Sequence, residues 1–329
     1  MTDVLILGGT GWLSGRIAHG WLEAGADVTC LARGGRAAPD GAALIVADRD
    51  APDAYAEAAR REWDHVVDVS SRAAHVAGAV AALGDRAAQW TYVSSMSVYA
   101  DDMTAGADES APRHAPARDG QGEDDYAAQK VAAEDAVAAL GARALVARPG
   151  LIVGDGDPSD RFGYWAAAFL RAADGPVLLP PLDGKTAQVI DVDDLAAFLV
   201  TASPGSPVNA IGDARPLGEV LDAVRRAAGH EGATVIADAD RLVAQGVEYW
   251  MGPHSLPLWL PEEMTGFMTR SNAAYRARGG ALRPLADTIA RVIDDERARG
   301  VDRERRAGLT RAEELRILAA VTEGPAGAR

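Results

Sequence analysis

Val4-Leu5-Ile6-Leu7-Gly8-Gly9-Thr10-Gly11-Trp12-Leu13-Ser14-Gly15 runs from four apolar residues straight into glycines. That order predicts a buried strand that hands the chain to a glycine loop at the start of a helix. Leu13, Ile17 and Trp21 share one face of that helix, four residues apart. Gly8 and Gly11 let the backbone turn tightly and approach an anion, and the helix N-terminus aims its dipole and free N–H groups at it. The pattern is that of a dinucleotide-phosphate site. An ordinary strand-to-helix turn reads the same way, so the assignment needs a second signal.

Tyr126-Ala-Ala-Gln-Lys130 supplies it. It opens a run of strong helix formers, so Tyr126 and Lys130 share one helical face. Upstream, Trp90-Thr-Tyr-Val-Ser-Ser-Met-Ser-Val-Tyr99 reads as a strand ending in hydroxyl residues. A tyrosine, a lysine one turn along and a serine from a neighbouring strand are the parts needed to move a proton at a substrate oxygen beside a nicotinamide. With the glycine loop, these residues resemble the extended branch of the short-chain dehydrogenase/reductase superfamily, from Val4 to about Gly212. The fold implied is α/β, a Rossmann doubly wound parallel sheet with a smaller, interleaved C-terminal substrate domain.

The resemblance implies roles one residue at a time. Counting back four from the Tyr of Val98-Tyr99 selects Ser95 as the catalytic hydroxyl, with Ser94 and Ser97 as alternatives. Tyr126 matches the proton donor or acceptor, and Lys130 the residue that binds the nicotinamide ribose and lowers the tyrosine pKa. A free phenol near pKa 10 must fall by about three units, worth roughly 4 kcal/mol, to exchange protons well near neutrality. Cofactor contacts are implied for Gly8, Thr10, Gly11, Trp12, Leu13, Arg33, Arg36, Asp48, Ser70, Tyr126, Lys130 and Pro149, the last in the Arg148-Pro-Gly150 turn.

Two departures from the family pattern matter. Ser14 stands where a third glycine is usual, with Gly15 one place later, so helix-on-strand packing must accept a hydroxymethyl group. At the end of Val28-Thr-Cys-Leu-Ala-Arg33, where NAD-specific members place an Asp or Glu for the adenosine ribose, Ala32 and Arg33 stand instead. With Arg36 close by, a guanidinium is placed to grip a 2′-phosphate. The cofactor expected is NADP(H), with NAD(H) as the alternative. The chain uses Arg almost to the exclusion of Lys, so a surface Arg after a strand is also an ordinary outcome.

Composition sets the limits. At 329 residues, 48% apolar and 25% charged, the chain has material for a sizeable core and one or two domains. A formal net charge of −15 argues against nucleic acid or an anionic membrane as a partner. The single Cys30 falls inside an expected strand and makes no internal disulfide, and the N-terminus enters a strand at once, so the expectation is a cytoplasmic enzyme.

Apolar runs near Val4, Val28, Ala43, His65, Trp90 and Ala144 alternate with helical stretches, which predicts parallel pairing. The boundaries expected are 1–150 plus about 187–204 for the NADP-binding Rossmann domain, and 151–186 plus about 205–323 for the substrate domain and C-terminal helices. Residues 324–329 are expected to be a frayed tail. Segment 100–125 breaks the pattern with Asp, Glu, Pro and Gly and is expected to cover the site or stay mobile. Asp191 is placed near a helix start, and Thr310-Arg-Ala-Glu313 forms a capping box for a last helix through Val321.

Substrate contacts are expected from Met96, Arg161, Tyr164, Trp165 and Trp250, with core packing as the competing reading of the aromatic residues. The histidines form no metal-spaced pair. Sugar-nucleotide dehydratases that resemble this fold carry an acidic pair after the catalytic hydroxyl. Met96 and Ser97 stand there, so the expectation is carbonyl reduction, or the reverse alcohol oxidation, of a small-molecule substrate through Ser95, Tyr126 and Lys130. Two alternatives stay open: a sugar-nucleotide epimerase or dehydratase with bound NAD, and a non-catalytic nucleotide-sensing or RNA-binding relative. The family resemblance further implies a homodimer through two helices flanking the catalytic face.

Overall fold

The computed structural model describes residues 1–118 and 124–322. The expected tail, 324–329, and residues 119–123 of the 100–125 insertion lie outside the described residues. In chain order the strands are β1 (Asp3–Leu7), β2 (Asp27–Ala32), β3 (Ala43–Val46), β4 (Trp63–Asp68), β5 (Ala87–Val93), β6 (Ala144–Ala147), β7 (Leu151–Val153), β8 (Val177–Leu179), β9 (Thr186–Asp191), β10 (Gly205–Val208), β11 (Ala214–Pro216), β12 (Thr234–Ile236), β13 (Glu248–Trp250) and β14 (Ser255–Pro257). The helices are α1 (Trp12–Glu23), α2 (Ala73–Leu83), α3 (Tyr126–Ala138), α4 (Arg161–Ala172), α5 (Val192–Thr201), α6 (Leu217–Ala228), α7 (Ala239–Ala244), α8 (Ala273–Ala277), α9 (Leu285–Arg299) and α10 (Arg311–Thr322).

Two compact units share this chain. The first comprises Met1–Ile152, Val189–Asp213 and Arg270–Leu282; the second comprises Val153–Gln188, Ala214–Thr269 and Arg283–Arg329. The expected boundaries are corrected in two places. Residues 205–213 belong to the first unit because β10 pairs with β6 at the sheet edge. Residues 270–282 belong there because Tyr275 packs on Phe198 with ring centroids 4.6 Å apart.

The first unit is a seven-stranded parallel sheet in the order β10-β6-β5-β4-β1-β2-β3. Alternation along the strands builds its two faces. Val4, Ile6, Val28 and Cys30 point to one, under Ile17 of α1 and Leu195 and Leu199 of α5. Leu5, Leu7, Leu31 and Trp90 point to the other, under Val76 and Leu83 of α2 and Val137 of α3. The order reverses between β1 and β4, which is where such sheets open a crevice beyond their strand ends.

The second unit is built round α4, whose residues Phe162 to Phe169 are all buried. Short pairs β8 with β12 and β13 with β14 run parallel, and β11 runs antiparallel to β9. The capping box read at Thr310 is present: Thr310 N donates to Glu313 Oε2 at 2.7 Å, and Glu313 N donates to Thr310 Oγ1 at 3.3 Å. Among the described residues, no helix is long and apolar enough to cross a membrane.

Candidate active site

Gly8 adopts φ +86°, a conformation closed to most side chains, and it starts the loop between β1 and α1. Gly9 permits a close approach to β2: a Cβ there would lie 2.5 Å from Cys30 Sγ. Burial pushes the Cys30 thiol up to about 11, and its Sγ donates a weak hydrogen bond to the Gly9 carbonyl at 3.6 Å. The departure at Ser14 has a structural use. Its buried hydroxyl donates to the Gly8 carbonyl at 2.7 Å and accepts from Gly11 N at 3.0 Å, so it caps the helix and closes the loop together.

Beyond the ends of β1 to β4 lies a cavity of about 760 Å³ lined by Gly8, Thr10, Gly11, Ala32, Arg33, Arg36, Asp48 and Ser70 among others. Trp12 and Leu13, expected at the cofactor, are not in its wall; they begin α1. Sequence reasoning missed Arg49, Asp50, Arg72 and His75, which also line it. Arg49 makes a two-pronged ion pair with Asp68 at 2.8 and 2.7 Å and donates to the His75 carbonyl at 2.8 Å, which braces β3 against β4. Arg72 and His75 both hold Asp50, and Asp48 accepts from Asp50 N in a tight turn. The visible signal was the charge alternation Asp48-Arg49-Asp50; its partners lie about 20 residues away and carry no local mark.

Arg33 and Arg36 differ from these. Both are exposed at the cavity, and neither makes an ion pair or side-chain hydrogen bond with another described residue. The wall holds four arginines against two aspartates, a local excess of positive charge on an acidic chain.

Tyr126 is the first residue of α3, where Asp125 caps by accepting from Ala128 N at 3.0 Å. Its ring is about half exposed. Lys130, one turn on, is buried and donates to two strand-end carbonyls, Ser70 O at 2.9 Å and Val93 O at 2.7 Å. Its Nζ lies 5.9 Å from the Tyr126 ring centre. Burial pulls its pKa down to about 7 against the opposing pull of Asp68 and Glu134. Lys130 therefore joins the cavity, through Ser70, to the serine turn, through Val93.

The three serines separate by environment. Ser94 is buried and donates to Glu134 Oε1 at 2.6 Å. Ser95 is half-buried, accepts from Ser97 N at 3.1 Å and lies 3.2 Å from Ser97 Oγ. Pro149 enters through its carbonyl, which accepts from Met96 N at 2.9 Å and holds the turn.

The expected substrate residues divide. Met96 is buried with Val98, Tyr99, Val131 and Ile211, and Tyr164 and Trp165 are buried in α4, Trp165 Nε1 donating to Pro257 O at 2.9 Å. All three are buried, at 1% exposure or less, and pack on neighbours in their own unit. Arg161 and Trp250 meet in the second unit, the guanidinium 5.1 Å above the indole. Of the insertion, residues 100–118 are pinned rather than loose: Ala100 N donates to Pro112 O at 2.9 Å, and His114 N to Val98 O at 2.8 Å.

Solved structures share this fold. No curated protein sequence matches the chain. A candidate epimerase from Burkholderia cenocepacia is similar in structure at 25% identity and TM-score 0.71, covering 90% of this chain and 98% of that one. A UDP-glucuronic acid 4-epimerase from Bacillus cereus, in complex with NAD, has 12% identity and TM-score 0.66 over 90% of this chain and 98% of its own. A Thermus thermophilus UDP-glucose 4-epimerase, also with NAD, has 19% identity and TM-score 0.64 over 89% and 98%. Residues 4–206 match the family model described as NAD dependent epimerase/dehydratase. The chain belongs to the NAD dependent epimerase/dehydratase family, within the extended short-chain dehydrogenases/reductases.

Proposed function

We propose that this chain is an NADP(H)-dependent oxidoreductase that reduces a carbonyl of a small molecule, or oxidises the corresponding alcohol. The observation that carries the cofactor reading is the pair Arg33 and Arg36, exposed at the cavity without a carboxylate partner among the described residues, where the strand end carries Ala32 in place of an acid. A 2′-phosphate answers that excess of cation, while two ribose hydroxyls do not. The Gly8 to Gly11 loop and the α1 N-terminus fit a pyrophosphate.

A bound nicotinamide supplies or accepts a hydride. The chain's own part is proton work: the half-exposed Tyr126 hydroxyl gives a proton to the developing alkoxide, and the Ser95 hydroxyl donates a hydrogen bond to the same oxygen. Lys130, held by two carbonyls, places a cation behind Tyr126 and stabilises its ionised form.

A second reading, a sugar-nucleotide epimerase retaining NAD, is favoured by the family match and by the NAD held in the Bacillus and Thermus enzymes. One experiment separates the two. Nucleotide-free protein, given NADPH and a panel of aldehydes and ketones, is expected to consume NADPH with at least one of them. Protein that carries NAD through purification and turns over a UDP-sugar with none added is the epimerase.

A further inference from the structure

Tyr126, Lys130 and Glu134 fall at successive turns along α3. Glu134 is 4% exposed, yet its carboxylate receives four donors. Ser94 Oγ donates to it at 2.6 Å, Arg148 Nε and Nη2 at 2.9 and 2.7 Å, and Arg113 Nη1 at 3.0 Å. Arg148 is itself fixed, donating to Tyr99 OH at 2.9 Å while its backbone N donates to Val208 O at 2.7 Å. Tyr99 OH donates onward to Asn209 Oδ1 at 2.6 Å. The carboxylate thus belongs at once to the tyrosine-lysine helix, to the serine turn and to the end of β6.

A packed carboxylate with four donors exceeds what helix-on-sheet packing needs, since apolar residues of the same volume serve that purpose as well. Its position one turn past Lys130 gives it a use. We propose that Glu134 is a positioning residue for the Tyr126–Lys130 pair: clamped by Ser94, Arg113 and Arg148, its carboxylate holds the buried Lys130 side chain in its cationic form on the Ser70 and Val93 carbonyls. The charged groups round Lys130 are Asp68 at the end of β4, with its partner Arg49, Glu134 on its own helix, with Arg113 and Arg148, and the phenols of Tyr92 and Tyr126. The two carboxylates favour the ammonium, as do the Ser70 and Val93 carbonyls and the Tyr92 ring 4.9 Å away, and removing Glu134 also leaves two guanidiniums uncompensated. What Lys130 is held for rests on the function proposed above; the coupling itself does not.

Lys130 and Lys185 are the chain's only lysines. Acylation of the full-length protein with acetic anhydride over a range of pH, read by mass spectrometry, therefore reports Lys130 with Lys185 as internal reference. In Glu134→Gln the Lys130 labelling midpoint is expected to fall by about one unit, since a buried carboxylate one turn away favours the ammonium even with its own guanidinium partners in place. Glu134→Asp, which keeps the charge, is expected to restore it. A folded Glu134→Gln protein with an unmoved midpoint overturns the proposal. If that variant does not fold, Arg113→Gln, at a partly exposed site, removes an opposing cation and must move the midpoint upward; no movement overturns the proposal equally. A wild-type protein that binds neither NADPH nor NADH but still shows the Glu134-dependent shift refutes the functional reading and supports the coupling.

Discussion

At the scale of the residue, the site depends on atoms whose surroundings differ sharply over short distances. Ser94 and Ser95 are neighbours in sequence, but Ser94 is committed to Glu134 while Ser95 faces the turn with its hydroxyl shared only with Ser97. Tyr126 is the exposed member of a tyrosine set that is otherwise mostly buried. Tyr126→Phe removes the hydroxyl proposed as proton donor and leaves the cavity wall untouched, so turnover is expected to fall by about a thousandfold while NADPH affinity, measured by calorimetry, changes little. On the proposed function, Arg33→Ser removes a charge-assisted contact to the 2′-phosphate worth about 1.5–3 kcal/mol, which predicts at least a tenfold rise in KM for NADPH and little change for NADH. The sequence made the tyrosine, lysine and serine legible because a helical spacing and a strand end are local patterns. It did not make the Glu134 cluster legible, because Ser94, Arg113 and Arg148 meet only when β5, the insertion and β6 are assembled round α3.

At the scale of the element, β1 to β6 could be read from runs of apolar residues, since strands covered on both faces need little else; the edge strand β3 is part-exposed, yet its four residues are all apolar. Short strands of the second unit were hidden for the opposite reason. Glu248–Trp250 and Ser255–Pro257 have three residues each, too few for a period, and the chain takes positive φ at Trp250, which ends the first (66°), and at His254, just before the second (59°). The β1 to β2 contact offers a direct check: a methyl group at Gly9 meets Cys30 Sγ at 2.5 Å, so Gly9→Ala is expected to destabilise the protein by about 1–3 kcal/mol in urea unfolding. A pH effect resides in β4. His65 is buried, and burial lowers its pKa from 6.5 to about 4, its Nε2 lying 2.8 Å from Thr91 Oγ1. Between those values the unfolded chain binds the proton and the folded chain does not, so stability falls as pH falls from 6.5 to 4. His65→Gln, which cannot titrate, is expected to flatten the slope of Tm against pH in that window.

At the scale of the whole molecule, the chain carries a formal −15 yet presents four arginines around one cavity in its first unit. A net-acidic chain disfavours polyanions at large, and the proposed function confines anion binding to that cavity. The overall charge was legible in composition, while its local reversal was only half visible: Arg33 and Arg36 follow a strand and stand out, whereas Arg49 and Arg72 arrive at the same cavity from the ends of other elements. The central claim is that this cavity selects a phosphorylated ribose. Calorimetric titration of nucleotide-free protein with NADPH and with NADH, at one ionic strength, tests it most directly. NADPH binding about tenfold tighter or more is the predicted result. Equal affinities, or tighter binding of NADH, contradict it.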